Sequence, residues 1–294
     1  MVCYGIFFNP NAGDGESKST AQQVKKKLEE KNFQVMLLTA SDAVKAIEML
    51  IEKIKVIDKL IVIGGDGTLN IVGTAFITGK RTVPLGVIPG GTINNFAKRW
   101  KIPTEIEKAV DIIMAGETRK VSIGQCGNKA IISSFTFGRL ADISNDVRQS
   151  EKRKYGLVVY PYKAFRHVGG NTSYLVKYKT EKETVTLKTW VALVTTTSYV
   201  GGLPYTFHDE NAFHISILNN IGLKKIKAYL TYAFTGQMKG KKTITYISSE
   251  KISIENMDES VEIQTRIDGD PGPNLPLTLE WRKDFIDLMV STEM

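Results

Sequence analysis

Three short stretches of the chain combine glycine with small polar residues in the manner of loops that receive phosphate: NPNAGDG at 9–15, GGDGTLN at 64–70 and PGGTINNFA at 89–97. Glycine lets backbone N–H groups approach phosphate oxygens closely, and a helix that starts directly after such a loop adds favourable partial charge. Thr68 and Thr92 each follow a glycine where a helix is expected to begin, so each is placed either to cap that helix or to donate its hydroxyl to phosphate. The middle loop carries Asp66 where a phosphate-cradling loop would offer lysine. GxxxxGK[ST] is absent, and GGDGT does not fit GxGxxG. A carboxylate among phosphates is repelled unless a divalent cation lies between them or local hydrogen bonds occupy its oxygens.

Such loops act together only if the strands before them end at a common edge. In the first part of the chain CYGIFFN (3–9), FQVMLLT (33–39), LIVI (60–63) and PLGVIP (84–89) read as strands. Segments 17–31, 41–55, 68–78, 92–99 and 104–115 read as helices between or after them. Strands separated by helices of this length imply a parallel sheet covered on both faces, with ligands beyond the carboxyl ends of the strands. Beyond residue 121 the texture changes to alternating segments rich in Val, Ile, Thr and aromatics, such as KVSIGQC, SYLVKYKT, AFHISIL and SVEIQTRID. That pattern predicts an antiparallel sandwich or barrel, interrupted by helical intervals at 140–166 and 223–235. The expected division is therefore an α/β domain over 1–121 and a β-rich domain over 122–294, with the last segment able to return to the first domain.

Composition narrows the class. With 294 residues and 42% hydrophobic content the chain can bury substantial cores. Two cysteines, Cys3 and Cys126, are too few for a disulfide framework, which points to a reducing cytoplasm. No basic leader with an apolar core opens the sequence, so a secretory signal is not expected. No run reaches the roughly 18 apolar residues that span a bilayer, so membrane contact is expected to be peripheral. Lys and Arg number 39 against 31 Asp and Glu, a net charge of +8, with clusters at 25–27, 152–154, 224–227 and 239–242. Each cluster taken alone reads as a solvated face; together they suit an anionic lipid surface, where each basic residue contributes on the order of 1 kcal/mol. Nucleic acid is not an expected partner, because interleaved aromatics and zinc-finger or RNA-binding signatures are missing.

GGDGTLN, preceded by NPNAG at 9–13 and followed by PGGTINNFA, resembles the diacylglycerol kinase catalytic domain family, especially its soluble bacterial lipid kinases. GGDGT alone is shared more widely with sphingosine kinases and NAD kinases. KRKYG at 152–156, YVGG at 199–202 and RIDGD at 266–270 are similar to the diacylglycerol kinase family in order and spacing. The resemblance implies an ATP-dependent, Mg²⁺-assisted kinase, with nucleotide at the strand ends of the first domain and a lipid hydroxyl entering between the domains. Its ATP contacts fall here on Asn9, Pro10, Asn11, Ala12, Gly13, Thr39, Gly64, Gly65, Asp66, Gly67, Thr68, Leu69, Asn70, Gly91, Thr92 and Asn94. The family's late DGE motif falls on Asp268, Gly269 and Asp270, which casts Asp268 or Asp270 as the base that takes the acceptor hydroxyl proton. Taken without the resemblance, the same residues read as an ordinary Asp-Gly turn. A metal-binding loop of bacterial members, DDGLLD, is similar to 209–214, where Glu210 keeps one carboxylate and His214 replaces another.

Some family carboxylates are replaced in this chain. Ile71 stands where glutamate is usual, Asn95 where aspartate is usual, and Ser122 where an aspartate precedes x-Gly; Asp270 is one methylene shorter than the family's glutamate. His167, His208 and His214 lack metal-ligand spacing and read as surface or structural residues. Cys126 reads as a small core residue. The stretch YGLVVYPYKAFRHV at 155–168 is either a lipid-facing element or a packed helix. The expected activity is transfer of the γ-phosphoryl group of ATP to a diacylglycerol-like alcohol at a membrane surface. An NAD kinase-type enzyme with a soluble substrate and a nucleotide-binding accessory protein with little catalysis stay open as alternatives, as does a homodimer.

Overall fold

The structure, a computed structural model, describes residues 2–10, 16–138, 173–204, 211–219 and 244–291. It divides into two compact units, Met1–Ile132 with Arg282–Met294, and Ser133–Trp281. Among the described residues no helix is long and apolar enough to cross a membrane.

The first unit is built in chain order from β1 (Cys3–Phe8), α1 (Ser17–Glu29), β2 (Gln34–Leu38), α2 (Ala43–Lys53), β3 (Lys59–Gly64), α3 (Asp66–Gly79), β4 (Leu85–Pro89), α4 (Asn95–Arg99), α5 (Ile106–Ala115), β5 (Thr118–Cys126) and β6 (Lys129–Ile131). Its strands run β2-β1-β3-β4 in parallel. Alternate side chains of the central strands enter opposite cores: Ile61 and Ile63 pack with Tyr4, Ile6 and Val110, whereas Leu60 and Val62 pack with Phe7, Leu50 and Phe76. Burial on both faces is why these strands read as unbroken apolar runs. Each such side chain contributes roughly 1.5–3 kcal/mol through the apolar area it removes from water. Asp42 caps α2 by accepting the Lys45 N–H at 2.9 Å, and that bond holds its carboxyl below the usual range.

This unit runs past residue 121 to Ile132 because β5 and β6 belong to its sheet. β5 pairs with β6 and with β18 (Leu277–Met289), the last strand of the chain. The residues of β18 from Arg282 onward lie in the first unit, where Leu288 pairs in parallel with Leu85 of β4. The side of β6 is held by α3, whose Thr74 hydroxyl accepts the Ala130 N–H at 3.0 Å while the Asn70 amide donates to the Ala130 carbonyl at 2.7 Å.

The second unit contains β7 (Ser134–Gly138), β8 (Tyr174–Thr180), β9 (Thr184–Thr189), β10 (Val191–Thr195), β11 (Tyr199–Val200), β12 (Leu203–Pro204), β13 (Phe213–Leu218), β14 (Ile244–Ser249), β15 (Lys251–Asn256), β16 (Gln264–Ile267) and β17 (Asp270–Asn274), together with the start of β18. One antiparallel sheet runs β14-β13-β10-β7-β16-β17; the other joins β9, β8, β15 and residues 277–280 of β18. Aromatic contacts bring the two together, Phe137 against Tyr178 with centroids 6.3 Å apart and Phe213 edge-on to Trp281 at 5.3 Å. The fold is thus an α/β unit with a parallel sheet followed by an antiparallel β unit, the class the alternating and apolar patterns predict. The helical intervals expected at 140–166 and 223–235 lie outside the described residues.

Candidate nucleotide site

Parallel order places the carboxyl ends of β2, β1, β3 and β4 at one edge. Phe7 pairs with Leu38, Phe8 with Ile63 and Gly64 with Pro89, so the residues that follow these strands emerge side by side. Thr39 is exposed just past β2, Asn9 and Pro10 are half-buried past β1, and Gly65 and Gly90 follow β3 and β4. Asn11, Ala12, Gly13 and Glu210 lie outside the described residues.

The two central loops are in close contact. Gly90 N–H donates to the Gly64 carbonyl at 3.0 Å, extending the ladder by one bond. A Cβ on Gly91 would stand 2.7 Å from both the Gly65 Cα and the Asn94 Oδ1, so neither loop can carry a side chain where they touch. Asn94, at φ 53°, closes its loop by accepting the Gly91 N–H at 3.0 Å and donating to the Gly91 carbonyl at 2.6 Å. Gly67 differs from these glycines: it is exposed, and a Cβ there would meet nothing within 4 Å. The start of α3 therefore opens onto free space at the strand edge.

Asp66 explains the absent lysine. It is the first residue of α3, and its Oδ2 accepts the Asn95 N–H at 3.0 Å while its Oδ1 accepts the Phe96 N–H at 3.1 Å. Those two N–H groups open α4 and have no partner within it. The carboxylate thus caps a helix from across the site and ties the 64–70 loop to the 89–97 loop. Burial pushes the Asp66 carboxyl above its ordinary range, opposed by the Phe96 and Asn95 N–H groups and by the charge of Lys98.

The structure corrects the two threonine caps. α3 begins at Asp66, two residues before the expected start, so Thr68 sits inside its first turn, 6% exposed, with its side chain folded over Gly64. Thr68 and Leu69 direct their N–H groups to the Gly65 carbonyl at 3.0 and 3.1 Å. α4 begins only at Asn95, which leaves Thr92 exposed in the loop with no capping position. Other side chains at the edge are turned inward. Leu69 belongs to the hydrophobic core, with Ile71 packed against it, and the Asn70 amide is engaged with Ala130. Among the 64–70 residues, those facing the open edge are the backbone at Gly65–Gly67. The first N–H groups of a helix have no intrahelical acceptor, so Asp66 N and Gly67 N are donors available to an anion.

In the second unit, Asp268 and Gly269 form the two-residue turn between β16 and β17, with φ of 51° and 93° and Ile267 paired to Asp270. Positive φ at both turn positions is the hairpin geometry that Asp-Gly favours. The Asp268 Oδ1 accepts three hydrogen bonds, from Ser133 N at 2.7 Å, Ser134 N at 2.9 Å and Ser133 Oγ at 3.0 Å. Asp268 N also donates to the Ser134 carbonyl at 2.8 Å. Asp270 is exposed beside it. Sequence reasoning missed Ser133 and Ser134; a Ser-Ser pair ending the apolar run AII at 130–132 was the available signal.

Elsewhere, Ser122 receives the Asp284 N–H on its hydroxyl at 3.0 Å. Cys126 is buried, which pushes its thiol up to about 11 and leaves it inert as a nucleophile. His214 is 5% exposed, bonded and stacked to Tyr246. Among the described residues no group of three or more His, Cys, Asp or Glu is arranged to hold a metal ion.

The chain thus joins a parallel α/β unit with a glycine-lined strand edge to an antiparallel β unit. The family model for the diacylglycerol kinase catalytic domain matches residues 4–126. A diacylglycerol kinase of Bacillus subtilis (strain 168) is 28% identical, over 92% of this chain and 90% of that protein. A diacylglycerol kinase of Staphylococcus carnosus is 26% identical, over 96% and 93%. A crystal structure from Bacillus anthracis str. Sterne, described as a candidate diacylglycerol kinase, gives a TM-score of 0.83 at 21% identity, over 99% of this chain and 95% of that one. That structural likeness bears on the fold alone.

Proposed function

We propose that the chain is an ATP-dependent lipid kinase that transfers the γ-phosphoryl group to the hydroxyl of diacylglycerol or a similar lipid alcohol at an anionic membrane surface. The observation that supports this most directly is the joined pair of loops at 64–67 and 90–94, open at Gly67, inside a segment that matches the catalytic-domain family. ATP, when bound, supplies the phosphoryl group. The N–H groups of Asp66 and Gly67 would receive its phosphates, aided by the partial positive charge at the start of α3, with Asn9, Pro10 and Thr39 along the same edge. Catalysis of this class rests on placement and charge stabilisation, so a fixed loop geometry is the chief contribution of Asp66.

Asp270 would take the proton of the acceptor hydroxyl, because it is the exposed carboxylate of the hairpin turn. Asp268, with one oxygen already receiving three donors, would act as a positioning residue that fixes the turn. The described residues do not fit a protein-only Mg²⁺ cage. Mg²⁺ carried on nucleotide phosphates needs only one or two carboxylates from the protein.

A nucleotide-binding accessory role is the second reading, favoured by Ile71, Asn95 and Ser122, which stand in place of family carboxylates and are occupied in packing or hydrogen bonds. Transfer of label from [γ-³²P]ATP to a panel of lipid alcohols and to NAD separates the cases. Label in a lipid, lost in Asp270→Asn, is the expected result. Label in NAD and no lipid would assign a soluble substrate, and nucleotide binding without transfer to any acceptor would assign the accessory role.

A further inference from the structure

Three residues beyond the glycine loops form a compact basic feature of the first unit. Trp100 follows α4, and the guanidinium of Arg99 lies over its ring, 4.8 Å from the centroid. The guanidinium of Arg119, near the start of β5, lies over the same ring at 5.2 Å. Two positive charges brought to one indole repel each other, and an anion between them offsets that cost. Trp100 is itself fixed in place, 5% exposed in the hydrophobic core with the Phe96 ring at 6.4 Å. A buried indole N–H ordinarily has an acceptor, but that of Trp100 has none among the described residues.

The sequence concentrates charge at the same place. From Gly90 to Thr104 there is no acidic residue, while Lys98, Arg99 and Lys101 all fall within that stretch. Lys98, Lys101 and Arg119 are exposed and Arg99 is half-buried. On the side of β5, Glu117 is the acid nearest to Arg119 in the chain, and Asp287 is engaged by Lys120 at 2.8 Å.

We propose that Arg99 and Arg119, held on Trp100, form a docking site for the phosphate of an anionic phospholipid. A guanidinium stacked on an indole keeps its in-plane N–H groups directed sideways, where two of them can meet two oxygens of one phosphate. The surrounding surface suits a lipid rather than a free ion. Ile93, 37% exposed in the loop that leads into α4, adds apolar area for the headgroup layer, and Lys98 and Lys101 extend the positive charge. This inference rests on the reading of the chain as acting at an anionic membrane, and it names the surface that makes the contact. Because α4 follows directly on the 89–97 loop, the docking site lies one short helix from the candidate nucleotide site.

Cosedimentation of the full chain with phosphatidylcholine vesicles containing phosphatidylglycerol, in the absence of nucleotide, tests the site. Arg99→Gln combined with Arg119→Gln should weaken partition about 30-fold, or about fivefold for each arginine. Lys25→Gln combined with Lys26→Gln, on α1, should change it by no more than about twofold; an equal loss there would mean diffuse charge and overturn the site. Arg99→Lys combined with Arg119→Lys keeps the charge but loses the fork geometry, and should stay about fivefold weaker than wild type. Full binding by that lysine pair would also overturn the proposal. Thermal unfolding shows whether each variant is folded, and the single Arg119→Gln, at an exposed position, carries the test if the double variant is not. Inorganic phosphate binding that is lost in the glutamine pair, with vesicle binding unchanged, would assign a soluble ion and exclude docking. Label transfer from ATP to dispersed short-chain diacylglycerol, without vesicles, should be the same in the glutamine pair as in wild type. Loss of that transfer would place the arginines in the phosphoryl-transfer site instead. A wild-type chain that labels no acceptor would end the kinase reading, while the vesicle measurement would still decide the docking site.

Discussion

The carboxylate of Asp66 closes the amino end of the helix that begins at Asn95, accepting Asn95 N–H at 3.0 Å and Phe96 N–H at 3.1 Å across the mouth of the candidate site. One side chain thereby sets the separation of the two glycine loops. Loss of a helix-start acceptor of this kind costs about 2 kcal/mol. Asp66→Ala should lower the unfolding free energy from urea titration by that much and weaken ATP binding by isothermal titration; unchanged binding would detach loop position from the nucleotide.

The same residue gives a pH signature. Burial raises the Asp66 carboxyl in the folded protein above its ordinary value of 3.8, so the native state holds its proton more tightly than the unfolded chain does. Its contribution to stability is then fully present below 3.8 and is lost as pH rises through the raised native value. Comparing Asp66→Asn with wild type across that window should show the variant gaining in relative stability as pH rises. A flat difference would mean that the buried carboxyl does not titrate in this way.

Gly91 and Gly67 should separate packing from ligand approach. At Gly91 a methyl would stand 2.7 Å from Gly65 Cα, so Gly91→Ala should lower both stability and ATP affinity. At Gly67 nothing lies within 4 Å and the residue is in the first turn of α3. Gly67→Ala should therefore stabilise the protein by about 0.5–1 kcal/mol through helix propensity while reducing ATP affinity, because the methyl occupies the open space at the helix start. Denaturation and nucleotide titration of the same samples decide it.

Asp268 and Asp270 should differ in what they damage. Asp268→Ala removes the acceptor for Ser133 and Ser134 and should cost about 2–3 kcal/mol in stability. Asp270→Asn should leave the unfolding transition in place and reduce label transfer about 10²- to 10⁴-fold, the range for loss of a general base. Equal loss of stability in both variants would refute the division of roles.

Chelation gives a further check. If the reaction needs Mg²⁺ carried on the nucleotide, EDTA should stop phosphoryl transfer, and the unfolding temperature of the nucleotide-free chain with and without EDTA reports on any structural ion. A large drop in that temperature would reveal a structural ion.

The alternation of buried strands and helices is legible in the residues alone, because strands covered on both faces must be apolar throughout, and LIVI at 60–63 or GVI at 86–88 can be little else. So is the shared edge of the glycine loops, since parallel strands all end on one side. Element starts were less visible: Thr68 and Thr92 carry the chemistry of helix caps, but the cap of α4 is Asp66, 29 residues before Asn95. Where each carboxylate points depends on the folded chain. Asp268 turns to Ser133, 135 residues away, and β18 returns to lie beside β4, placements fixed by which strands become neighbours. Local patterns report burial and turn chemistry, which depend on adjacent residues. The partner of a buried charge is chosen by packing between segments far apart in the chain, and no spacing within GGDGT or RIDGD encodes it.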